Sequence, residues 1–147
     1  MKYLAAIDYS PISTAVLDQA ARFALAEGAT VYLLHVEPPD PDFVGYEAGP
    51  PHVRQAVARE AMEHHAELRT MKESLEARGV NAHALVIQGP FAEKILDEAR
   101  RLDAGLILMG SRGHGALHHL VIGSVSEEVV QHAPCPVLLV PHHPAGN

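Results

Sequence analysis

The chain of 147 residues has one cysteine, Cys135, no tryptophan and few other aromatic residues, so that aromatic side chains make up 5% of the sequence. A single cysteine excludes an internal disulfide, as is typical of proteins in a reducing compartment. The small number of aromatic side chains disfavours a platform on which nucleic-acid bases stack. Because Cys135 lies between two prolines with no neighbouring cation, we expect a small buried residue and not a reactive thiol.

Positive charge is also scarce, since 11 Lys and Arg residues stand against 18 Asp and Glu residues, a formal net charge of −7. Such a surface repels a phosphate backbone, so nucleic acid is not the expected partner. The longest apolar runs, residues 106–109 and 137–140, fall far below the roughly 20 residues that cross a bilayer, and no targeting segment precedes the first apolar run. We therefore expect a cytoplasmic protein that does not insert into membranes.

Hydrophobic residues make up 48% of the chain and charged residues 20%, which is typical of a soluble globular protein. The length predicts one domain over residues 1–147, with about residues 142–147 as a flexible tail. Residues 37–51 contain five prolines and two glycines, so neither a helix nor a central strand can persist there. We expect a long loop in that part of the chain.

Short apolar runs alternate with segments of helical periodicity. The predicted strands cover residues 3–7, 30–36, 80–87, 106–109 and 137–140, and four helices connect them. The second helix carries an apolar stripe of Val53, Val57, Ala61, His64, Leu68, Met71 and Leu75. Strands separated by helices imply right-handed crossovers, so we expect an α/β fold with a parallel sheet and helices on both faces. Ligands of such sheets bind beyond the carboxyl ends of the strands.

Several side chains have a structural interpretation. Ser10 is expected to cap the first helix, and Ser124 opens a Ser-x-x-Glu capping box for the last one. Met62 and Met71 are interpreted as core residues. His64 and His65 are interpreted as solvated surface residues despite the place of His64 in the apolar stripe.

A glycine-rich loop follows the fourth predicted strand, with Gly110-x-x-Gly113, nine further residues and then Gly123-Ser124. Glycines let the backbone approach an anion, and the helix that follows offers unpaired N–H groups and the positive end of its dipole. Arg112 can add a fork of donors. No lysine precedes Ser124, so the loop is not of the Walker type, and binding is favoured over phosphoryl transfer. The alternative is a surface loop with no ligand.

The spacing G-2x-G-9x-G-[ST] resembles the motif of the universal stress protein family, in its ATP-binding branch. The segment Ala-Ala-Ile-Asp-Tyr-Ser of residues 5–10 resembles the first strand and Asp-x-Ser turn of that family, and residues 123–140 resemble its C-terminal signature. The resemblance implies a Rossmann-like open sheet of five parallel strands in the order 3-2-1-4-5. It also implies a homodimer through the last strand, Val137–Val140, a regulatory role in the stress response, and ATP with Mg²⁺ or Mn²⁺ as the ligand.

The resemblance also implies which residues surround the nucleotide. Adenine and ribose would lie beside Asp8 and Val36, and the ribose and phosphates between the chain after the fourth strand and the start of the last helix. The residues so placed are Ala6, Ile7, Asp8 and Ser10 after the first strand, Val36 in the second, Met109, Gly110, Arg112 and Gly113 after the fourth, and Gly123, Ser124 and Val125 at the last helix.

No catalytic residue and no dedicated metal site are expected. His114 and His118 have the i, i+4 spacing of metal ligands, but no cysteine or carboxylate near them completes a ligand set. Two alternatives to a nucleotide-binding regulator stay open. One is a slow ATPase or a phosphotransferase in which Ser124 or Ser126 accepts phosphate. The other is a dimeric adaptor without nucleotide whose proline-rich loop, residues 37–51, binds an unknown protein.

Overall fold

The structure, a computed structural model, describes residues 1–39, 51–112 and 122–141. Gly113, His114, His118, the predicted tail and most of the proline-rich loop lie outside these ranges. The strands are β1 (Lys2–Ala6), β2 (Thr30–Glu37), β3 (Ala82–Gln88), β4 (Leu106–Gly110) and β5 (Val137–Val140). The helices are α1 (Ser13–Glu27), α2 (Pro51–Ala77), α3 (Phe91–Leu102) and α4 (Ser124–His132).

The strands form one parallel sheet in the order β3-β2-β1-β4-β5, which confirms the predicted order. The central strand β1 pairs with β2 on one side and with β4 on the other, where Ala5 lies opposite Leu108. The connection that follows β1 therefore leads to β2 on one side, whereas the connection that follows β4 leads to β5 on the other side. The crevice that this reversal creates lies at the carboxyl ends of β1 and β4.

Each face of the sheet is buried under two helices, as predicted. Alternate residues of β1 point to opposite faces, so that Ala5 belongs to the core under α1 and α2, and Leu4 to the core under α3 and α4. Leu68 and Leu75 are the fully buried anchors of α2 in the first core, and Val129 is that of α4 in the second. Burial on both faces explains why the strands read as nearly continuous apolar runs.

The start of α1 differs from the prediction. Its N-cap residue is Ile12, and Ser10 does not cap the helix. The N–H of Ser13 donates a hydrogen bond to the carbonyl of Ser10 (3.0 Å), so Ser10 belongs to a separate turn that precedes the helix. At the other end Gly28 has the left-handed conformation expected of a C-terminal glycine (φ 67°), and its N–H bonds the carbonyl of Ala24.

Two other predictions need correction, and one is partly confirmed. Met62 is 73% exposed and is not a core residue, because it lies on the outer face of α2.

β3 begins at Ala82, two residues later than predicted. Val80 is still in the turn after α2, where its N–H donates a hydrogen bond to the carbonyl of Leu75. Cys135 is half-buried against the second core, and burial raises the pKa of its thiol, as expected of an unreactive cysteine.

No helix in the described part of the chain is both long enough and apolar enough to cross a membrane.

We predict that Tyr3 makes the protein less stable in alkali. Burial, and then the Glu27 carboxylate to which its hydroxyl donates a hydrogen bond, raises the pKa of Tyr3 to about 12, whereas an unfolded tyrosine ionises near its ordinary value of 10.0. Above pH 10 the unfolded state therefore binds fewer protons than the folded state, and the free energy of unfolding falls as pH rises. Urea unfolding at a series of alkaline pH values should show a shallower fall for Tyr3→Phe than for the wild type. Parallel slopes would contradict the assignment.

Candidate functional site

The turn after β1 is built around the carboxylate of Asp8. Its Oδ1 accepts hydrogen bonds from the N–H of Ser10 (3.0 Å) and from the hydroxyl of Ser13 (3.3 Å), so the side chain closes the turn and connects it to the first residue of α1. Tyr9, between these residues, has a left-handed backbone with φ 59°. The carboxylate is thus held at the mouth of the crevice by two short-range contacts.

The two ends of the glycine-rich loop are joined by hydrogen bonds. The N–H of Gly123 bonds the carbonyl of Ser111 (2.7 Å), and the hydroxyl of Ser126 donates to the carbonyl of Gly110 (2.9 Å). Ser111 in turn bonds the carbonyl of Val140 at the end of β5 (2.9 Å). These contacts place the amino end of α4 beside the carboxyl end of β4, next to the crevice.

Gly110 is required by packing as well as by any ligand. A Cβ atom at this position would lie 2.7 Å from Cγ2 of Ile12, which is closer than a Cβ atom can approach unless a neighbour shifts, and 3.2 Å from the carbonyl oxygen of Arg112, which is a tight contact. Because Ile12 is buried where α1 begins, a side chain on Gly110 would push α1 away from β4. The role of this glycine is therefore partly structural.

The amino end of α4 does not form the predicted capping box. The N-cap residue is Gly123, with φ −76° and ψ 160°, and no side chain caps the helix. Ser124 is the first helical residue and is exposed, whereas Ser126 is 3% exposed and already bonded to Gly110. Of the two serines considered as phosphate acceptors, Ser124 alone is accessible.

The apolar candidates divide between the two faces of the sheet. Ala6, Val36 and Met109 belong to the core under α3 and α4, toward which the half-buried Val125 also points. Ile7 belongs to the opposite core, its N–H is bonded to the carbonyl of Leu34 (2.8 Å), and its side chain is buried. The side chains of Ile7 and Ala6 therefore lie on opposite faces of the sheet. The structure does not describe Gly113.

A cluster of three rings, Tyr9, His35 and His64, adjoins the Asp8 turn. The centroid of the Tyr9 ring lies 4.4 Å from the centroid of the His35 ring. The Tyr9 ring is also stacked on the His64 ring, with 4.7 Å between the centroids and 24° between the two ring planes. The Tyr9 hydroxyl donates to the backbone carbonyl of His64 (2.7 Å). His64 is half-buried, so the prediction of a solvated surface residue is wrong, and its place in the apolar stripe of α2 is the sequence signal for this burial.

Charges in this region are arranged around His35. Burial lowers the pKa of His35, while its hydrogen bond to the carbonyl of Ile7 and the carboxylates of Glu37 and Asp8 oppose that shift. Burial also raises the pKa of Tyr9, with smaller contributions from Glu67 and Glu37. The neutral forms of both rings are therefore favoured in the folded protein.

Other features of the described residues do not add a second site. A groove of about 600 Å³ lies between α2 and β3, lined by both cationic and anionic side chains, among them Arg69, Lys72 and Glu73. Within residues 1–39, 51–112 and 122–141, no group of three or more His, Cys, Asp or Glu side chains is arranged to hold a metal ion. The predicted pair of His114 and His118 lies outside these ranges.

Related sequences cover almost the whole chain. The family model described as the universal stress protein family matches residues 1–141. A universal stress protein of Thermus aquaticus, encoded in the QAH/OAS sulfhydrylase 3′ region, is 42% identical over 118 residues, which cover 80% of this chain and 81% of that protein. Universal stress protein YxiE of Bacillus subtilis is 34% identical over 147 residues, covering 95% and 97% of the two chains.

Solved structures give the same result for the fold. The structure of the hypothetical protein MJ0577 superposes with a TM-score of 0.82 at 26% identity and covers 98% of this chain and 97% of its own. Two more distant structures with this fold are an Archaeoglobus fulgidus universal stress protein in complex with dAMP (22% identical, TM-score 0.70, 95% and 96% covered) and a universal stress protein in complex with cAMP (19%, 0.71, 96% and 96%). On the match of the family model and of these relatives, the chain belongs to the universal stress protein family.

Proposed function

We propose that this protein is a regulatory universal stress protein that binds ATP in the crevice between β1 and β4. The observation that carries the proposal is the hydrogen bond between Gly123 and Ser111, which brings the amino end of α4 to the end of β4. A helix N-terminus beside the reversal of strand order in a parallel sheet is a general location for phosphate groups. The whole chain would act as one domain in the cytoplasm.

Each part of the crevice suits one part of a nucleotide. Ala6, Val36 and Met109 offer an apolar wall for the base, and Asp8 offers a carboxylate for the ribose hydroxyls. Arg112 and the amino end of α4 offer positive charge to the phosphates. The dAMP and cAMP complexes of proteins with this fold support an adenine nucleotide as the ligand class. The residues proposed to hold ATP are Ala6, Ile7, Asp8, Ser10, Val36, Met109, Gly110, Arg112, Gly113, Gly123, Ser124 and Val125.

Mg²⁺ or Mn²⁺ would accompany ATP and would neutralise the charge of its phosphates. Mg²⁺ in nucleotide sites keeps several waters and takes few protein ligands besides the phosphates. The exposed hydroxyl of Ser124 at the start of α4 fits such a site, which needs no cage of carboxylates.

The first test is to denature the purified protein and to identify any released small molecule by mass spectrometry, and then to titrate the stripped protein with ATP and with AMP by calorimetry. We expect stoichiometric ATP in the preparation or a dissociation constant on the order of micromolar. Absence of both nucleotide and binding heat would overturn the proposal and favour the adaptor without nucleotide.

The alternative of autophosphorylation is tested by the intact mass of the protein after incubation with ATP, measured for the wild type and for Ser124→Ala.

Gly123→Val should weaken ATP binding at least about tenfold, because a branched side chain at the N-cap of α4 would keep phosphates from its N–H groups. The backbone of Gly123, with φ −76° and ψ 160°, is extended and is one that valine adopts, so the fold should persist. Calorimetry measures the affinity and circular dichroism the fold. A folded variant that binds ATP with wild-type affinity would show that the amino end of α4 does not contact the nucleotide.

The matched control for that variant is Gly110→Ala. Because its Cβ would meet Ile12 at 2.7 Å, we expect a lower melting temperature with and without nucleotide. Gly123→Val should reduce only the stabilisation that nucleotide gives, whereas Gly110→Ala should lower the melting temperature of the free protein as well.

The protein is also proposed to be a homodimer in which the β5 strands of two copies pair. β5 is an edge strand, and within the described residues β4 is its one partner in the sheet. The carbonyl of Val140 accepts a bond from Ser111 on the β4 side (2.9 Å). Because hydrogen-bonding groups alternate between the two sides of a strand, the N–H of Leu139 points to the outer edge, where a second β5 would bind.

Leu139→Pro should convert the dimer to a monomer, since proline removes that outward N–H without removing a bond to β4. Leu138→Pro, one residue earlier, removes a donor on the β4 side and should destabilise the fold itself. Light scattering after size exclusion measures the mass, and thermal unfolding measures the stability. A wild type that is monomeric, or a Leu139→Pro variant that stays dimeric, would contradict pairing through β5.

A further inference from the structure

We propose that the cluster of Tyr9, His35 and His64 is a pH-sensitive clamp that holds the Asp8 turn in the shape that binds nucleotide, so that acidification weakens nucleotide binding. The inference rests on the proposed function for its ligand. It concerns residues that are not themselves among the candidate nucleotide contacts. The clamp joins the turn after β1 to β2 and α2.

The first element of the clamp is Tyr9, which follows Asp8 in the chain. Its backbone has φ 59°, a conformation that residues other than glycine adopt when surrounding contacts enforce it. The contacts that enforce it are the stack on the His64 ring and the hydrogen bond of the Tyr9 hydroxyl to the carbonyl of His64. α2 therefore holds the residue that sets the direction of the chain beside Asp8.

The second element is His35 of β2, which is 8% exposed. Its Nδ1 lies 2.9 Å from the carbonyl oxygen of Ile7, the residue that precedes Asp8. A carbonyl only accepts hydrogen bonds, so Nδ1 carries a proton and donates it. The chain is thus held on both sides of Asp8, at Ile7 by His35 and at Tyr9 by His64.

Several charged groups face the two histidines. Asp8 from the β1 turn and Glu37 from the end of β2 favour the protonated form of His35, whereas burial and a positive charge on His64, whose ring centroid is 5.5 Å away, oppose it. On α2, Glu67 acts on Tyr9, and His65 lies 3.5 Å from the Glu37 carboxylate. Burial is the largest of these influences on His35, so the closed cluster favours the neutral ring.

A proton on His35 therefore favours a state in which the ring is hydrated and the cluster is open. Unfolded or open protein takes up this proton near the ordinary histidine pKa of 6.5, while the closed protein resists it. The free energy of unfolding and the nucleotide affinity are then both at their highest above pH 6.5, and both fall as the pH drops below that value. By linkage, nucleotide binding at acid pH releases a proton.

The test compares the wild type with His35→Asn, in which the amide nitrogen replaces Nδ1 as donor to the Ile7 carbonyl but does not titrate. We expect similar ATP affinities at pH 8, within about threefold, and a loss toward pH 5.5 that is larger in the wild type by up to about tenfold, because one proton is worth at most tenfold per pH unit. Titrating phosphates and the histidines outside the cluster affect both proteins equally. Calorimetry in two buffers of different ionisation enthalpy counts the released proton.

A parallel fall of affinity in the wild type and in His35→Asn would overturn the clamp. His64→Phe is a second variant, which keeps a ring to stack on Tyr9 but removes the imidazole whose positive charge opposes protonation of His35. It replaces His35→Asn in the test if that variant does not fold. It should show a smaller acid-induced loss than the wild type, and an unchanged loss would also count against the clamp.

If no nucleotide binds at any pH, the proposed function fails and the clamp is tested on the free protein. Histidine resonances followed by NMR against pH should show His35 titrating below 6.5, together with shifts of the Tyr9 and Asp8 amides. A His35 that titrates at its ordinary pKa, or without change at those amides, would exclude a clamp independently of any ligand.

Discussion

The burial of β1 between β2 and β4 is the constraint on which the rest of the structure depends. A strand covered on both faces and paired on both edges can expose polar groups only where it ends, so Asp8 is the first polar side chain beyond β1 that can serve a ligand. The same arrangement directs the chain from β1 to one side and the chain from β4 to the other. The crevice is a consequence of strand order, and the loops around it supply its chemistry.

The residues at the crevice combine structural and chemical roles. Asp8 closes the turn before α1 while its carboxylate lies at the proposed ribose site. Gly110 allows α1 to pack on β4 through Ile12, and its carbonyl also receives the hydroxyl of Ser126 from α4. Both residues would be needed by the fold in the absence of any ligand. Gly110 in the glycine motif and Asp8 in the Asp-x-Ser turn therefore support ATP binding less than the position of α4 beside β4 does.

The ring cluster connects the site to a part of the protein that the motif does not include. α2 contributes no candidate nucleotide contact, yet His64 on this helix holds Tyr9 in a conformation that a non-glycine residue seldom adopts. The free energy that favours this backbone shape comes from contacts across 55 residues of sequence. Packing between α2 and the β1 turn therefore belongs to the proposed mechanism of binding.

Apolar periodicity and the order of segments determined the class of fold. Each short apolar strand has to be buried by helices on both of its faces, and each helix has to bury its apolar stripe against the sheet. The motif spacing likewise determined the family, through Gly110 and Gly123-Ser124. Only the tertiary structure decided where α1 and α4 begin: no side chain caps either helix, Ser10 lies in the turn that Asp8 closes before α1, and Gly123 is the N-cap residue of α4. It alone also brought His35 and His64 onto Tyr9, since ring contacts between distant elements depend on how α2 lies on the sheet, and no local pattern encodes that angle.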